Sequence, residues 1–154
     1  MLLTGLLSAG GCDALDVDEP DPPPVDPTGR VIDSALVLDR GDELGTSVSV
    51  DGTTMAVGAP GTDCVVEVCS GDGDDPNRID NAGAVYVFER VGASFQLQTK
   101  LTAPTPGRGD RFGGSVSLSG DTLIIGAPGD SAAGDSAGAV YVFARDGSEW
   151  TPVP

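Results

Sequence analysis

The amino-acid sequence predicts an all-β chain of short antiparallel strands gathered in groups of four. Glycine (23) and proline (12) are abundant among the 154 residues, and aromatics make up only 5%. That composition builds many turns rather than long helices. Residues 41–60 recur at 109–128, and a second block recurs behind each. The apolar residues of both copies form short runs bounded by Gly-rich turns, the pattern of covered strands.

The repeat supplies the elements in order. GDELGTSVSVDGTTMAVGAP aligns with GDRFGGSVSLSGDTLIIGAP at an offset of 68, and AGAVYVF at 82–88 aligns with 137–143 at an offset of 55. The first copy therefore holds thirteen more residues between its two blocks. The second offset persists to Phe95 and Trp150, the aromatic that opens the next segment. Expected strands in the first copy are 47–50, 54–58, 84–89 and 95–103. In the second they are 115–118, 122–126, 139–144 and one beginning at Trp150. Strand one alternates Ser and Val, giving one apolar face. Strands two and three are nearly continuous apolar runs, which need cover on both faces. Sheets stacked as the blades of a β-propeller supply that cover.

Phe112-Gly113 with Gly126-Ala127-Pro128, and Leu44-Gly45 with Gly58-Ala59-Pro60, resemble the FG-GAP repeat, the blade unit of integrin α-subunit propellers and of many bacterial surface proteins. Leu44 stands where the motif has Phe. The resemblance implies four-stranded blades at 41–104 and 109–154, with 31–40 as a partial strand of an adjoining blade. Rings close with about 4–8 blades, so an incomplete propeller is expected, with the remaining blades missing from this chain; closure by association of subunits is the alternative. The family often carries a calcium loop, D-x-D-x-D-G-x-x-D, before the strand leading into GAP. Here that place holds Asp51-Gly52-Thr53-Thr54 and Ser119-Gly120-Asp121-Thr122, without the oxygen ligands a hard cation needs. No metal, cofactor or catalytic residue is expected. The implied function is a non-catalytic binding or adhesion-type module for an extracellular protein or glycan. The alternatives are an accessory propeller fragment of a larger exported enzyme, or a truncated remnant of a longer repeat protein.

The N-terminus reads as a targeting segment. Residues 1–11, MLLTGLLSAGG, are too short to span a bilayer, which takes about 20 apolar residues. With Cys12 they resemble a bacterial lipoprotein signal, in which the cysteine is lipidated, although no Lys or Arg precedes the apolar run. A plain secretion signal and a buried N-terminal segment are the alternatives. Residues 12–30 carry six acids and five prolines, the composition of an extended spacer. This implies an exported envelope protein, an outer-membrane or surface lipoprotein that touches the membrane only through its lipid. In that setting Cys64 and Cys69 are expected to form a local disulfide.

Charge and the remaining motifs narrow the chemistry. A net charge of −16 argues against nucleic acid, whose phosphates need clustered Lys and Arg. With no histidine, neither a Ser-His-Asp triad nor a His-ligated zinc is available from this chain. Gly134-Asp135-Ser136-Ala137-Gly138 spells a nucleophile-elbow pattern, but a strand follows it rather than a helix. Arg40-Gly41-Asp42 and Arg108-Gly109-Asp110 spell an adhesion tripeptide twice, yet Gly-Asp belongs to the repeat and reads as a turn. Asp72, Asp74, Asp75, Asn77 and Asp80 make an oxygen-rich insertion that fits neither an EF-hand nor a nonapeptide calcium pattern. It is expected to be solvated, with Asp130 and Asp135 as weaker candidates for a cation. Phe95 and Trp150, matched in the repeat, are expected to be packing residues.

Overall fold

Tight Gly-X turns set the architecture. The computed structural model describes residue 38, residues 41–65 and residues 78–154, with the side chains of 64 and 65 left out. Gly52, Gly92, Gly120 and Gly147 each open a two-residue hairpin with φ of 59°, 61°, 54° and 62°. A type II′ hairpin needs this left-handed conformation at its first turn position, and its twist matches that of the strands. The first sheet runs β1 (Ser47–Asp51), β2 (Thr54–Ala59), β5 (Ala84–Val91), β6 (Ser94–Leu101), and the second β7 (Ser115–Ser119), β8 (Thr122–Ala127), β9 (Ala139–Asp146), β10 (Glu149–Pro152). Each is an antiparallel meander in sequence order, as expected of a blade. The fold is all-β.

The insertion departs from the expected loop. β3 (Cys64–Val65) pairs antiparallel with β4 (Arg78–Ile79), so the two ends of the insertion form a short ladder between β2 and β5. The signal segment, the spacer and Cys12 lie outside the described residues. So do the 31–40 strand apart from Leu38, Cys69, and the acids Asp72, Asp74 and Asp75 with Asn77.

The main core lies between the two sheets. Ala56, Val85, Val87 and Leu101 of the first pack against Leu118, Leu123, Ile125, Phe143 and Trp150 of the second and against Phe112, which precedes it. Burial of such side chains contributes about 1.5–3 kcal/mol each. A smaller cluster, with Val57, Tyr86 and Phe88, lies on the other face of the first sheet beside the half-buried Leu44, Met55, Phe95 and Leu97.

Strand one has the two faces expected of its alternation, and the second sheet covers the serine one. Its valine face does not carry the inter-sheet contact in β1, where Val48 and Val50 are each 55% exposed. The serine face does. Ser47 Oγ donates to Gly113 O (2.8 Å), Ser49 Oγ accepts from Leu118 N (3.0 Å), and Asp51 Oδ2 accepts from Gly120 N (2.6 Å). In β7 the apolar positions, Val116 and Leu118, meet this serine face. Both strands are sheet edges with backbone groups the ladder leaves unpaired. Hydroxyls and a carboxylate of one edge satisfy those of the other. Alternation reveals two faces; the neighbouring sheet decides which of them is covered.

Candidate functional site

Because each sheet is a meander, connections alternate between its two ends. The Gly-X turns occupy one end; the long connections 60–83, 102–114 and 128–138 occupy the other. The motif residues gather at this long-loop end. Phe112, fully buried, lies beside the segment leading into β5, where its N–H donates to Ala82 O (2.9 Å) and it forms an isolated parallel bridge with Gly83. Its ring meets Tyr141 and Phe143 edge to face at centroid distances of 5.4 and 6.1 Å. The backbone approach explains the glycines. A Cβ on Gly83 would lie 2.1 Å from Phe112 O, and one on Gly58 would lie 2.0 Å from Gly113 O. Gly113, at φ +90°, is itself wedged against Ala84 O and Ala59 N. The FG turn of one blade thus plugs a groove made by the GAP strand end of the other, and only glycine fits on either side.

Past each GAP the chain is fastened to its own blade. Gly61 N donates to Asp42 O (3.1 Å) and Gly129 N to Asp110 O (3.0 Å). This places the Asp of both Arg-Gly-Asp sequences inside: Asp42 and Asp110 are buried, and Asp110 Oδ2 accepts from Gly107 N (2.6 Å). A tripeptide whose carboxylate is buried makes no exposed adhesion loop. Ser136 also reads as a turn residue, at φ 48° with its N–H donating to Ser131 Oγ, ahead of β9 rather than a helix.

Of the cation candidates, Asp130 is buried and already engaged. Tyr141 Oη donates to its Oδ2 (2.6 Å) and Ala132 N to its Oδ1 (2.8 Å), while Gly138 N donates to its carbonyl (2.9 Å). The Tyr141 hydroxyl, and then the Ala132 amide, hold the carboxyl below its ordinary range. Burial, followed by the carboxylate beside it, pushes Tyr141 up to about 12. This pair is a fastening for the 128–138 loop. Its repeat partner on the first blade is Thr62, so the acid is no part of the motif and periodicity did not single it out. Asp80 takes ion pairs from Arg78 (3.1 Å) and Arg108, and Asp63 pairs with Arg78 and accepts from Asn81 N (2.7 Å). Among the described residues no group of three or more acids, cysteines or histidines converges in a metal-ligating cluster.

Phe95 is half buried against the outer cluster. Trp150 is 7% exposed in the main core, donates to Gln98 Oε1 (3.3 Å) across the blades, and lies under the Arg145 guanidinium at 5.4 Å. Both are packing residues. Sequence reasoning missed Arg145, which also bonds Asp121 Oδ1 (2.8 Å) on its own blade and Thr54 Oγ1 (2.9 Å) on the other. Its only sequence signal is Arg90 at the offset of 55.

The long-loop end therefore combines a glycine-dependent joint between blades with a rim of Arg and Asp side chains, Asp63, Arg78, Asp80 and Arg108. A search of curated proteins returned no match to this chain. The family model described as FG-GAP repeat matches residues 38–88 and 95–143, more than half of the sequence and both copies of the turn and groove. The chain belongs to the FG-GAP repeat family.

Proposed function

We propose that this chain is a non-catalytic binding module of a bacterial envelope lipoprotein, displayed on the cell surface for adhesion to an extracellular protein or glycan. FG-GAP repeats form β-propeller-type binding modules, and the blade architecture here is consistent with that class. The observation that carries the reading is the long-loop end. Strands joined by the FG turn position a rim in which Arg78 and Arg108 stand beside Asp63 and Asp80. A rigid scaffold carrying variable loops is how such folds recognise ligands. Arginine forks suit carboxylates and sulfates of proteins and glycans.

Three further parts of the reading are separable. Cys12 carries a lipid, residues 13–30 hold the blades off the membrane, and Cys64 pairs with Cys69 to brace the insertion. Mass spectrometry of protein from its native envelope is expected to find a lipidated Cys12 at the mature N-terminus; an unprocessed Met1 removes the anchor. Thiol titration without reductant is expected to find Cys64 and Cys69 unreactive. Binding is tested by biolayer interferometry of the full chain against arrayed glycans and matrix proteins. A ligand lost by the Arg78→Ala/Arg108→Ala double variant, with circular dichroism unchanged, supports the reading. A ligand bound equally by that variant moves recognition away from these loops.

A further inference from the structure

The second blade presents outward the same groove that the first blade fills with Phe112-Gly113. In the first blade Val85 is fully buried under the FG turn; its repeat counterpart Val140 is 69% exposed. Ala56 is buried, whereas its counterpart Ile124 is 43% exposed. A Cβ on Gly58 would strike the Gly113 backbone, while one on Gly126 would meet only the side chain and amide of neighbouring Ser115. Gly83 is pressed against Phe112, while Gly138, at φ +77°, has nothing nearer than 3.5 Å. At the other end of the molecule no described residue fills the place around the counterpart plug. Gly45, at φ +93°, has the backbone of Gly113, a Cβ there would meet no described atom within 4 Å, and Leu44 is only half buried. Val48 and Val50 reach the surface beside it, above the buried Tyr86 and Phe88.

We propose that copies of this chain associate head to tail, with the Leu44-Gly45 turn of one copy plugging the Gly126–Pro128 and Gly138–Val140 groove of the next. The partner is chosen by complementarity that the internal joint already displays. Ser47, Ser49 and Asp51 satisfy the backbone of β7 within the chain. Ser115, Ser117 and Ser119 stand at the same positions on the open edge, so each has a hydroxyl for the backbone of an incoming β1. The charges agree as well. Glu43 and Arg111 are repeat counterparts of opposite sign, bonded at 2.8 Å within the chain. In the second joint their roles exchange, and Glu43 of the incoming copy meets Arg111. Such a contact is heterologous: each copy uses two different faces, so growth ends only if the rotation closes a ring.

The test uses the full chain with Cys12→Ser, to exclude intermolecular disulfides, in moderate salt that screens the net negative charge. Analytical ultracentrifugation is expected to show a concentration-dependent series of oligomers. Val48→Lys blocks the plug face and Val140→Lys the groove face. Both positions are exposed, so the monomer stays folded, and both changes reduce the net charge, so lost association is not added repulsion. Each variant alone is expected to be monomeric, its association weakened by about 100-fold or more through a buried, unpaired ammonium. An equimolar mixture of the two is expected to form a dimer and stop there, because one intact plug and one intact groove remain. Gly126→Ala is expected to block the groove with little loss of stability. A wild-type chain that stays monomeric overturns the proposal. So does a Val140→Lys variant that assembles normally, or a mixture that forms no dimer.

Discussion

Truncating Phe112 to Ala measures how much the joint between the blades contributes. The ring is wholly buried and touches two other aromatics edge to face. Removing a phenylalanine from such a site costs about 3–5 kcal/mol, counting the cavity left behind. Each aromatic pair accounts for about 0.5–1.5 kcal/mol of that. A domain of this size is stable by about 5–15 kcal/mol, so the loss is a large share. The control is Leu44→Ala, the same motif position on the half-buried free face, where under about 1.5 kcal/mol is expected because much of the side chain is already in water. Phe112→Leu, which copies the first repeat, is expected to fall between the two. Trp150 is the only tryptophan and sits in the same core, so its fluorescence reports urea unfolding, followed at concentrations where the chain is monomeric. A Phe112→Ala loss no greater than that of Leu44→Ala would refute the reasoning, because the motif would then not be a joint between blades.

Three other perturbations follow from the same geometry. Gly58→Ala puts a methyl 2.0 Å from the Gly113 backbone and is expected to cost about 1–3 kcal/mol or more, whereas Gly126→Ala, facing a rotatable serine, is expected to cost under about 1 kcal/mol, because alanine is intrinsically the better strand residue; paired chemical denaturation checks the difference. Asp130 is lowered by its bonds, so its contribution is present above the ordinary carboxylate pKa and is lost as the pH falls through the lower folded value; Tyr141 is raised, so its contribution holds below pH 10 and is lost as the pH climbs toward about 12. Asp130→Asn is expected to remove the Asp130 part of the acid loss and to bring the Tyr141 titration, read by ultraviolet absorbance, back toward its ordinary value. Arg145→Ala removes the bond to Thr54 across the blades and the cover over Trp150, an expected loss of about 1–2 kcal/mol that Arg145→Lys does not restore, because the fork serves two partners at once.

The strands were legible because the chain repeats them. AGAVYVF recurs intact, and each expected strand of both copies is present within a residue or two. The burial of each face was not legible. The Ser/Val alternation of β1 announces two faces, but a valine on the face away from the second blade stays exposed, and hydrophobicity alone does not say where the next sheet lies. The β3–β4 ladder has strands of two residues each, too short for any periodic signal. At the site, the turn and groove glycines were found by their motif, while their reason, backbone contact at distances no Cβ allows, exists only between blades. Asp130 was singled out as a loop acid; its burial depends on Tyr141, eleven positions away and within reach only once β9 is paired.

The central claim is that the two FG-GAP blades form one body joined by the FG turn, and nuclear Overhauser contacts of Phe112 test it most directly. The account predicts cross-peaks from the Phe112 amide to Gly83 and from its ring to Val85 and Phe143, with the Phe112 amide among the slowest to exchange. Contacts confined to residues of the second blade, with the blades tumbling independently, would contradict it.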